Sequence, residues 1–528
     1  MAKVNVVVSV PSIAIRITDL VGRRGLKNLV LVSRLFNAIF MPRLWEVVDL
    51  KQLGLIPCSP ERLKRVRLSL RDALERHGHL IRDLVLGDPS FLFVCSDNIA
   101  NLRNLVVADL LPRHWPPLLL LVKNQVALEG LLLPVENMHA KITDGFFSHL
   151  NPKTLRTLEI IYGGPDFYGP MVTKIFAHLG ASSALEEICV TPDFSHRHYS
   201  KESPPLPRDG TFVVPKKLKR VRLPEGPWVR NTSYLRALIT SIMQQCPSLE
   251  LMEFPYLEKV QAQAVATAIQ RHQSWQSKSA KSMSHLVFGM LTDVVDCPST
   301  PKLIRACATN SIKAIKFQTE CGGRDTIDAI LKHKSSIEFL DMQSSRTASQ
   351  WMHDILATCS KLHVFKAGGI SLHHRNVFLG VDALRSPWLS QRLTKLQLPL
   401  TGFCDTQRRK DCRHHQRSCR IKERQLLAKI GQLHQLDFLD ASYTQIPIDE
   451  ADLTHPAALV RTHNSLEWSL DAGLDELAHL KKLEVFELRG VDHAIGQREK
   501  AWIRAHWPKL TFSNVLSRPV TMLTTPLH

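Results

Sequence analysis

A single phrase recurs along the chain and limits what it can fold into: an apolar residue, two others, an apolar residue, one other, and an apolar residue. It is clearest at 128–133 (LEGLLL), 155–160 (LRTLEI) and 218–223 (LKRVRL). The residues that begin the phrase are Ile81, Leu102, Leu128, Leu155, Leu185, Leu218, Leu249, Met283, Ile312, Ile337, Leu362, Leu393, Leu436 and Leu483. The 402 residues between the first and the last of these form thirteen intervals of about 31 residues, a period typical of repeat architectures.

The internal spacing of the phrase predicts a strand. Its last two apolar positions alternate around an outward residue, as in a short parallel strand with one buried face. Stretches with helical spacing separate the phrases, as at 235–242 (LRALITSI). One strand and one helix cannot bury their apolar faces alone, so neighbouring units must stack. We therefore predict an α/β fold: a curved solenoid of leucine-rich repeats, with parallel strands on the concave face and helices outside.

A compact α/β domain with a parallel sheet would also alternate strands and helices. The constant spacing inside the phrase favours the solenoid over this alternative. No glycine-rich phosphate-binding motif follows any predicted strand, and the chain has no Gly-x-Ser-x-Gly or His-Glu-x-x-His motif. We expect a repeat scaffold that is not an enzyme and needs no cofactor.

The charge balance permits some partners without requiring them. Lysine and arginine outnumber acidic residues 68 to 49, for a formal charge of +19. Such a charge is compatible with nucleic acid or acidic partners. The basic residues are scattered, however, in short clusters at 65–67, 216–220 and 408–410, without an RNA- or DNA-binding signature. We expect solvated faces with a mild attraction for acidic proteins and no nucleic acid.

The cysteines and the hydropathy pattern bear on the compartment. The eleven cysteines follow no spacing pattern, and Cys189, Cys246 and Cys359 lie in strand or helix phrases, as small buried apolar residues do. No apolar run approaches the roughly 20 residues of a membrane span, and residues 1–10 lack the core and cleavage site of a signal peptide. These features predict reduced thiols, no membrane, and a cytoplasmic or nuclear location.

The first fifty residues do not follow the repeat. Apolar residues recur there at helical steps, from Ile13 through Ile17 and Leu20 to Leu29 and Phe36. Two or three short helices are predicted, with too little chain to form a core of their own. We expect them to take apolar cover from a partner or from the first repeat.

This segment resembles an F-box, and together with the repeats it resembles the F-box proteins with leucine-rich repeats that are abundant in fungi. The F-box pattern has a proline near its start, apolar helix positions, a Val-Ser/Cys-Arg/Lys-x-Phe/Trp core and a Leu-Trp near its end. The matching positions are Pro11, Ile17, Leu20, Leu26, Leu29, Val32, Ser33, Arg34, Leu35, Phe36, Leu44 and Trp45. The chain departs from the usual Leu-Pro-x-Glu opening, because Val10 replaces the leucine and no glutamate follows at Ile13 or Ala14.

The resemblance implies a non-catalytic subunit of a ubiquitin ligase. The F-box would dock on a Skp-type adaptor and through it on a cullin complex, while the repeats hold an unknown target protein. The residues that would face the adaptor or hold the helices in place are Pro11, Ile13, Ile17, Leu20, Leu29, Val32 and Phe36. The alternative is that these residues cap the first repeat, and that the chain is an adaptor-independent repeat scaffold for protein–protein interaction.

The sequence suggests the following organisation. Residues 1–50 form a degenerate F-box, 51–80 a connector helix or first irregular repeat, 81–512 the solenoid and 513–528 a flexible tail. Insertions are expected near 194–210, 273–284 and 403–420, where turn-rich or polar stretches interrupt the repeat.

The third insertion has a suggestive composition, since it holds Cys404, Cys412, His414, His415 and Cys419. Thiolate and imidazole ligands at such distances could form a zinc site. No Cys-x-x-Cys pair is present, however, and arginine and lysine fill the intervals. We favour a solvated basic surface loop with no metal.

Outward strand positions give the predicted target surface. They are Leu132, Glu159, Glu187 or Cys189, Arg222, Glu253, Lys316, Asp341, Lys366, Gln397, Asp440 and Glu487. Their mixed charges suit a protein partner better than a uniformly basic groove for phosphates would.

Overall fold

A computed structural model describes the chain over eighteen segments. They are 11–51, 60–108, 110–136, 145–163, 175–180, 183–192, 212–222, 232–254, 259–275, 283–288, 299–317, 323–343, 347–367, 378–400, 403, 413–442, 466–488 and 495–510. The predicted insertion at 194–210 and the predicted tail at 513–528 lie outside these residues.

The chain forms two compact units, Met1–Leu249 and Glu250–His528. In the first unit the strands are β1 (Val47–Asp49), β2 (Asp83–Leu86), β3 (Asn104–Val107), β4 (Gly130–Glu136), β5 (Thr157–Gly163), β6 (Glu187–Pro192) and β7 (Arg220–Arg222). In the second they are β8 (Leu251–Phe254), β9 (His285–Phe288), β10 (Ala314–Phe317), β11 (Phe339–Asp341), β12 (Val364–Lys366), β13 (Lys395–Gln397), β14 (Phe438–Asp440) and β15 (Val485–Glu487). Within each unit every strand pairs in parallel with the next strand along the chain.

Helices lie between most of the successive strands. They are α1 (Pro11–Val32), α2 (Arg34–Glu46), α3 (Pro60–His77), α4 (Leu92–Cys95), α5 (Trp115–Lys123), α6 (Thr232–Gln245), α7 (Lys259–Trp275), α8 (Ser299–Ala306), α9 (Arg324–Leu331), α10 (Ser349–Thr358), α11 (Gly380–Ala383), α12 (Arg413–Gly431) and α13 (Gln497–His506). Strands joined in chain order by helical crossovers are the architecture of a leucine-rich-repeat solenoid, so the predicted fold class is confirmed.

The repeat phrase fixes the position of each strand. All fourteen residues predicted to begin the phrase are buried, and a strand starts two residues after each of them. The second strand residue points inward and is buried from Leu84 in β2 to Phe486 in β15. The first and third strand residues point outward, because side chains alternate across a strand. We call the surface made by these outward residues the strand face.

The structure adds one strand that the phrase count missed. Residues 45–50 (WEVVDL) fit the same apolar spacing, and β1 lies within them and pairs with β2. The F-box resemblance places these residues at the end of the N-terminal segment, before the repeats. The first strand therefore follows α2 directly, with no residue between Glu46 and Val47.

One prediction about the third insertion is wrong. The surface loop expected over 403–420 becomes helical at Arg413, where α12 begins. Cys419, Leu426 and Ile430 are buried on one side of this helix, at steps of seven and four residues. The spacing is hard to recognise in the sequence because many basic residues lie between and before these positions.

The interior of the second unit contains a column of aromatic rings. Phe254, Phe288 and Phe317 follow one another on neighbouring strands, with ring centroids 5.9 and 5.4 Å apart and nearly parallel planes. The cysteines predicted to be small core residues, Cys189, Cys246 and Cys359, are buried as expected. Burial raises the pKa of the Cys246 thiol to about 12 and that of Cys359 to about 11, so both stay protonated and unreactive.

Candidate interaction surfaces

The two N-terminal helices form a small core of their own. Leu26 and Val30 of α1 and Phe40 of α2 are buried together, and Phe36 lies 5.6 Å from the Phe40 ring. The expectation that these helices have no core is therefore wrong. The hydroxyl of Ser33 caps α2 by accepting a hydrogen bond from the Phe36 amide at 3.2 Å, and this fixes the corner between the helices.

The predicted adaptor residues divide into two groups. Ile17, Leu29 and Phe36 are partly buried against the small core, so they hold the helices together. Leu20 and Val32 are 86% and 65% exposed. Pro11 and Ile13 lie in the first turn of α1, but their side chains are outside the part of the chain that the structure describes.

Two further apolar residues extend the exposed group. Leu31, which precedes Val32 in the chain, is 82% exposed, and Leu35, in the first turn of α2, is 38% exposed. Leu20 and Leu31 are eleven residues apart, about three helical turns, so they lie on the same side of α1. We call Leu20, Leu31, Val32 and Leu35 the N-terminal patch. The eleven-residue interval from Leu20 is the sequence signal for Leu31, a position that the F-box pattern does not include.

The helix pair is fixed to the first repeat. Trp45, near the end of α2, stacks on His77 at the end of α3, with ring centroids 5.0 Å apart. Burial, together with neighbouring Arg76 and His79, lowers the pKa of His77, so the stacked ring is neutral at physiological pH. The Arg82 amide also donates to the Glu46 carbonyl at 2.8 Å. These contacts join α2, α3 and β2 in one packed junction.

The strand face of the first unit has an apolar centre between charged margins. Its third-position row runs from Asp49 through Val85, Val106, Leu132, Glu159 and Cys189 to Arg222. The register thereby places Cys189, and not Glu187, beside Glu159. Glu187 belongs to the first-position row, where it pairs with Arg220 at 2.6 Å.

A depression of about 330 Å³ lies in this face, across β3 to β6. It is open on one side, and Gly130, the outward first residue of β4, is among its lining residues. Its outward lining residues are Asn104, Val106, Leu132, Thr157, Glu159, Glu187 and Cys189.

The strand face of the second unit has the opposite arrangement. Its first-position row is mainly apolar and includes Leu251, Phe339, Val364, Phe438 and Val485. Its third-position row is mainly charged and runs through Glu253, Lys316, Asp341, Lys366, Asp440 and Glu487. Asp341 and Asp440 are buried, and each carboxylate accepts a hydrogen bond from the amide two residues ahead, at 3.2 Å from Gln343 and 2.8 Å from Ser442.

One group of side chains in the second unit has the composition of a hydrolytic triad. The Ser386 hydroxyl lies 3.0 Å from Nε2 of His353, whose Nδ1 is 3.7 Å from Asp354. The Ser386 amide also donates to the same Nε2 at 3.2 Å, which occupies the lone pair that a general base would need. The Asp354 distance is too long for the hydrogen bond that orients a catalytic histidine. This histidine therefore holds the 386 loop and does not activate a nucleophile.

The described residues contain no group of three or more metal-ligating side chains. Cys404 and Cys412 lie outside them, and Cys419 is buried in α12. Over the same described residues, no helix is both long enough and apolar enough to cross a membrane.

Comparison with known proteins adds little. No protein-family model matches the chain. No curated protein matches it either. Among solved structures, the chain is similar to the "Crystal structure of TLR13-ssRNA13 complex", with 11% sequence identity and a TM-score of 0.32 over 80% of this chain and 61% of that chain. The chain thus spans about three fifths of the length of that structure. The repeat fold rests on the strand order and register given above.

Proposed function

We propose that the protein is the target-recognition subunit of a Skp-adaptor/cullin/F-box ubiquitin ligase, of the fungal leucine-rich-repeat type, acting in the cytoplasm or nucleus. In this proposal α1 and α2 bind the adaptor and the strand face holds the target. The protein itself performs no chemistry, since other subunits of such ligases transfer ubiquitin. The observation that carries the proposal is the N-terminal patch, which stands on helices whose sequence resembles an F-box.

The patch supports a docking role because its apolar side chains are not needed by the helix pair. The core of the pair is complete without Leu20, Leu31, Val32 or Leu35. Four large apolar side chains at this exposure within one pair of helices are costly in water, and such surfaces commonly mark protein contacts. A partner that covered them would gain about 25 cal/mol for each Å² of apolar surface buried.

The test is capture of the adaptor by the full-length protein with Leu31→Glu and Val32→Glu together. A charge buried at the interface without a partner costs several kcal/mol, so adaptor and cullin should be recovered at least about a hundredfold less well. The tagged protein is pulled from cells and both partners are blotted. The matched control is Leu120→Glu with Val126→Glu, the same pair of changes at exposed positions of the first unit, which should leave capture intact.

A charge at Phe36 would not discriminate between the hypotheses, because this ring packs against Phe40 and its loss would disturb the helix pair. The patch variant does discriminate. If it lowers the thermal stability of the repeats, the helices are a cap and the docking proposal fails.

The alternative function is an adaptor-independent repeat scaffold. It predicts that the native protein recovers no adaptor at any salt concentration, while still capturing a target. That result would refute the ligase role and leave the repeat surface as the sole functional element.

A further inference from the structure

We propose that the depression above Gly130 binds a target segment in which an aliphatic side chain stands next to a lysine or arginine. This inference rests on the proposed function and specifies the chemistry of its target. It depends on three features of the first unit: a missing side chain, an apolar floor and an unpaired carboxylate.

The missing side chain is that of Gly130. It occupies an outward position between Asn104 of β3 and Thr157 of β5, where its neighbours carry side chains. A Cβ at Gly130 would lie 2.3 Å from Asn104 Oδ1 and 2.9 Å from Thr157 Oγ1. The polar groups of both neighbours thus lean over the glycine, which leaves them room to form a polar rim beside the depression.

Hydrogen bonding fixes the polarity of this rim. The Asn104 amide group donates to Asp83 at 2.6 Å, which turns its oxygen toward Gly130. An oxygen of this kind can only accept hydrogen bonds. The rim is therefore suited to an occupant that donates, such as a backbone N–H or a cationic side chain.

The floor is suited to an aliphatic group. Val106 and Leu132 are adjacent in register and only half-buried, so they present apolar surface inside the depression. A volume of about 330 Å³ is at the lower end for ligand sites. It suits one side chain of a larger partner with its neighbouring backbone, because the open side leaves room for the rest of the segment.

The unpaired carboxylate supplies charge specificity. Glu187 is neutralised by Arg220 at 2.6 Å and has Arg222 at 4.0 Å. Glu159, one strand away and half-exposed, forms no ion pair within the described residues. A free carboxylate beside an apolar floor, on a chain of net charge +19, makes a local negative site that favours a cation and repels phosphate.

The test selects from a random heptapeptide library on beads, using the labelled full-length protein at about 0.15 M ionic strength. Peptides with an aliphatic residue next to lysine or arginine should be enriched. Gly130→Val adds a branched side chain among the lining residues and displaces the polar groups of Asn104 and Thr157, so it should reduce that enrichment at least tenfold. Gly145→Val is the matched control, since an added Cβ there meets no atom within 4 Å.

A second variant keeps the inference testable if Gly130→Val misfolds. Glu159→Gln changes the charge with almost no change in volume, so the aliphatic preference should persist while the preference for lysine or arginine is lost. Enrichment of acidic peptides, no enrichment, or enrichment unchanged by both variants would overturn the proposal. The library contains no adaptor, so failure here is separate from failure of adaptor binding.

Discussion

The two units fasten successive repeats with different side chains. In the first unit, Gln125 follows α5 and reaches back to the preceding repeat. It accepts the Leu102 amide at 2.8 Å and donates to the carbonyls of Ile99 and Leu121 at 2.7 and 3.0 Å. Gln245, at the end of α6, does the same around Phe212 and Val214.

The second unit uses lysine near the corresponding positions. Lys332 donates to the carbonyls of Arg305 and Cys307, at the end of α8, at 2.7 and 3.0 Å. Lys429 donates to Ala383 and Ser386, at the end of α11, at 2.5 and 2.6 Å.

The difference follows from the backbone groups that each preceding repeat exposes to the joining side chain. The loops met by the glutamines expose both amides and carbonyls, and an amide side chain can satisfy both. The helix ends met by the lysines expose carbonyls alone, which suit a cation that only donates and that also complements the helix dipole. The repeats thus share one core pattern, while the polar groups left between them determine the side chain that joins them.

The largest expected effect comes from removing an amide clamp. Gln125→Met preserves length but leaves three buried backbone groups without partners, at about 1–3 kcal/mol each. We expect the free energy of unfolding of the first unit to fall by about 3–9 kcal/mol. Urea unfolding of the full chain, with hydrogen exchange to locate the change, measures it. Gln244→Met, at an exposed position of α6 in the same unit, is the control, and an equal effect of the two would show that the clamp contributes nothing.

Removing a cationic clamp should cost less. Burial lowers the pKa of Lys429, which shows that desolvation offsets part of what its two hydrogen bonds contribute. Lys429→Met should therefore destabilise the second unit by about 1–3 kcal/mol. Lys422→Met changes an exposed lysine of the same helix and should be close to neutral in the same unfolding experiment. A cost for Lys429→Met as large as that for Gln125→Met would contradict the distinction between the clamps.

The smallest effect is a pH dependence at His333, the neighbour of Lys332. Its buried Nε2 bonds to the Ile304 carbonyl at 3.2 Å, while Nδ1 has no partner within the described residues, and burial lowers its pKa below 6.5. As pH falls, the His333 imidazole is therefore protonated in the unfolded chain at a higher pH than in the folded chain. Stability is lost as pH falls below about 6.5. A folded-state pKa that is one unit lower reduces the free energy of unfolding at low pH by about 1.4 kcal/mol.

His333→Gln removes the titration and keeps a donor for Ile304. The fall in melting temperature of the second unit between pH 7.5 and 5.5 should therefore be smaller in this variant than in the native protein. An unchanged pH profile would show that other groups control the acid sensitivity.

The strand positions were predictable from sequence because the inward positions are determined by burial. Each residue predicted to begin a phrase, such as Leu128, precedes its strand by two residues, as an apolar-x-x-apolar-x-apolar spacing requires. The strand at 47–49 was not predicted because Trp45, which begins its apolar spacing, was assigned to the Leu-Trp end of the F-box pattern.

The candidate surfaces were less predictable because they depend on contacts between repeats. Apolar spacing could not tell that Phe36 turns inward while Leu31 stays exposed. Gly130 occupies an outward position on which the phrase sets no requirement. Its importance follows from its register with Asn104 and Thr157, which no single repeat reveals.

The direct passage from α2 into β1 has a geometric consequence. Neighbouring strands are about 4.8 Å apart, so the depression at β4 stands three such steps, about 14 Å, along the sheet from β1. If the helices hold an adaptor, the number of strands between α2 and the depression sets the distance between the adaptor and a bound target. Insertion or loss of one repeat in that interval would change this distance by about 4.8 Å. The number of repeats would therefore determine which lysines of a target lie within range of the subunits that transfer ubiquitin.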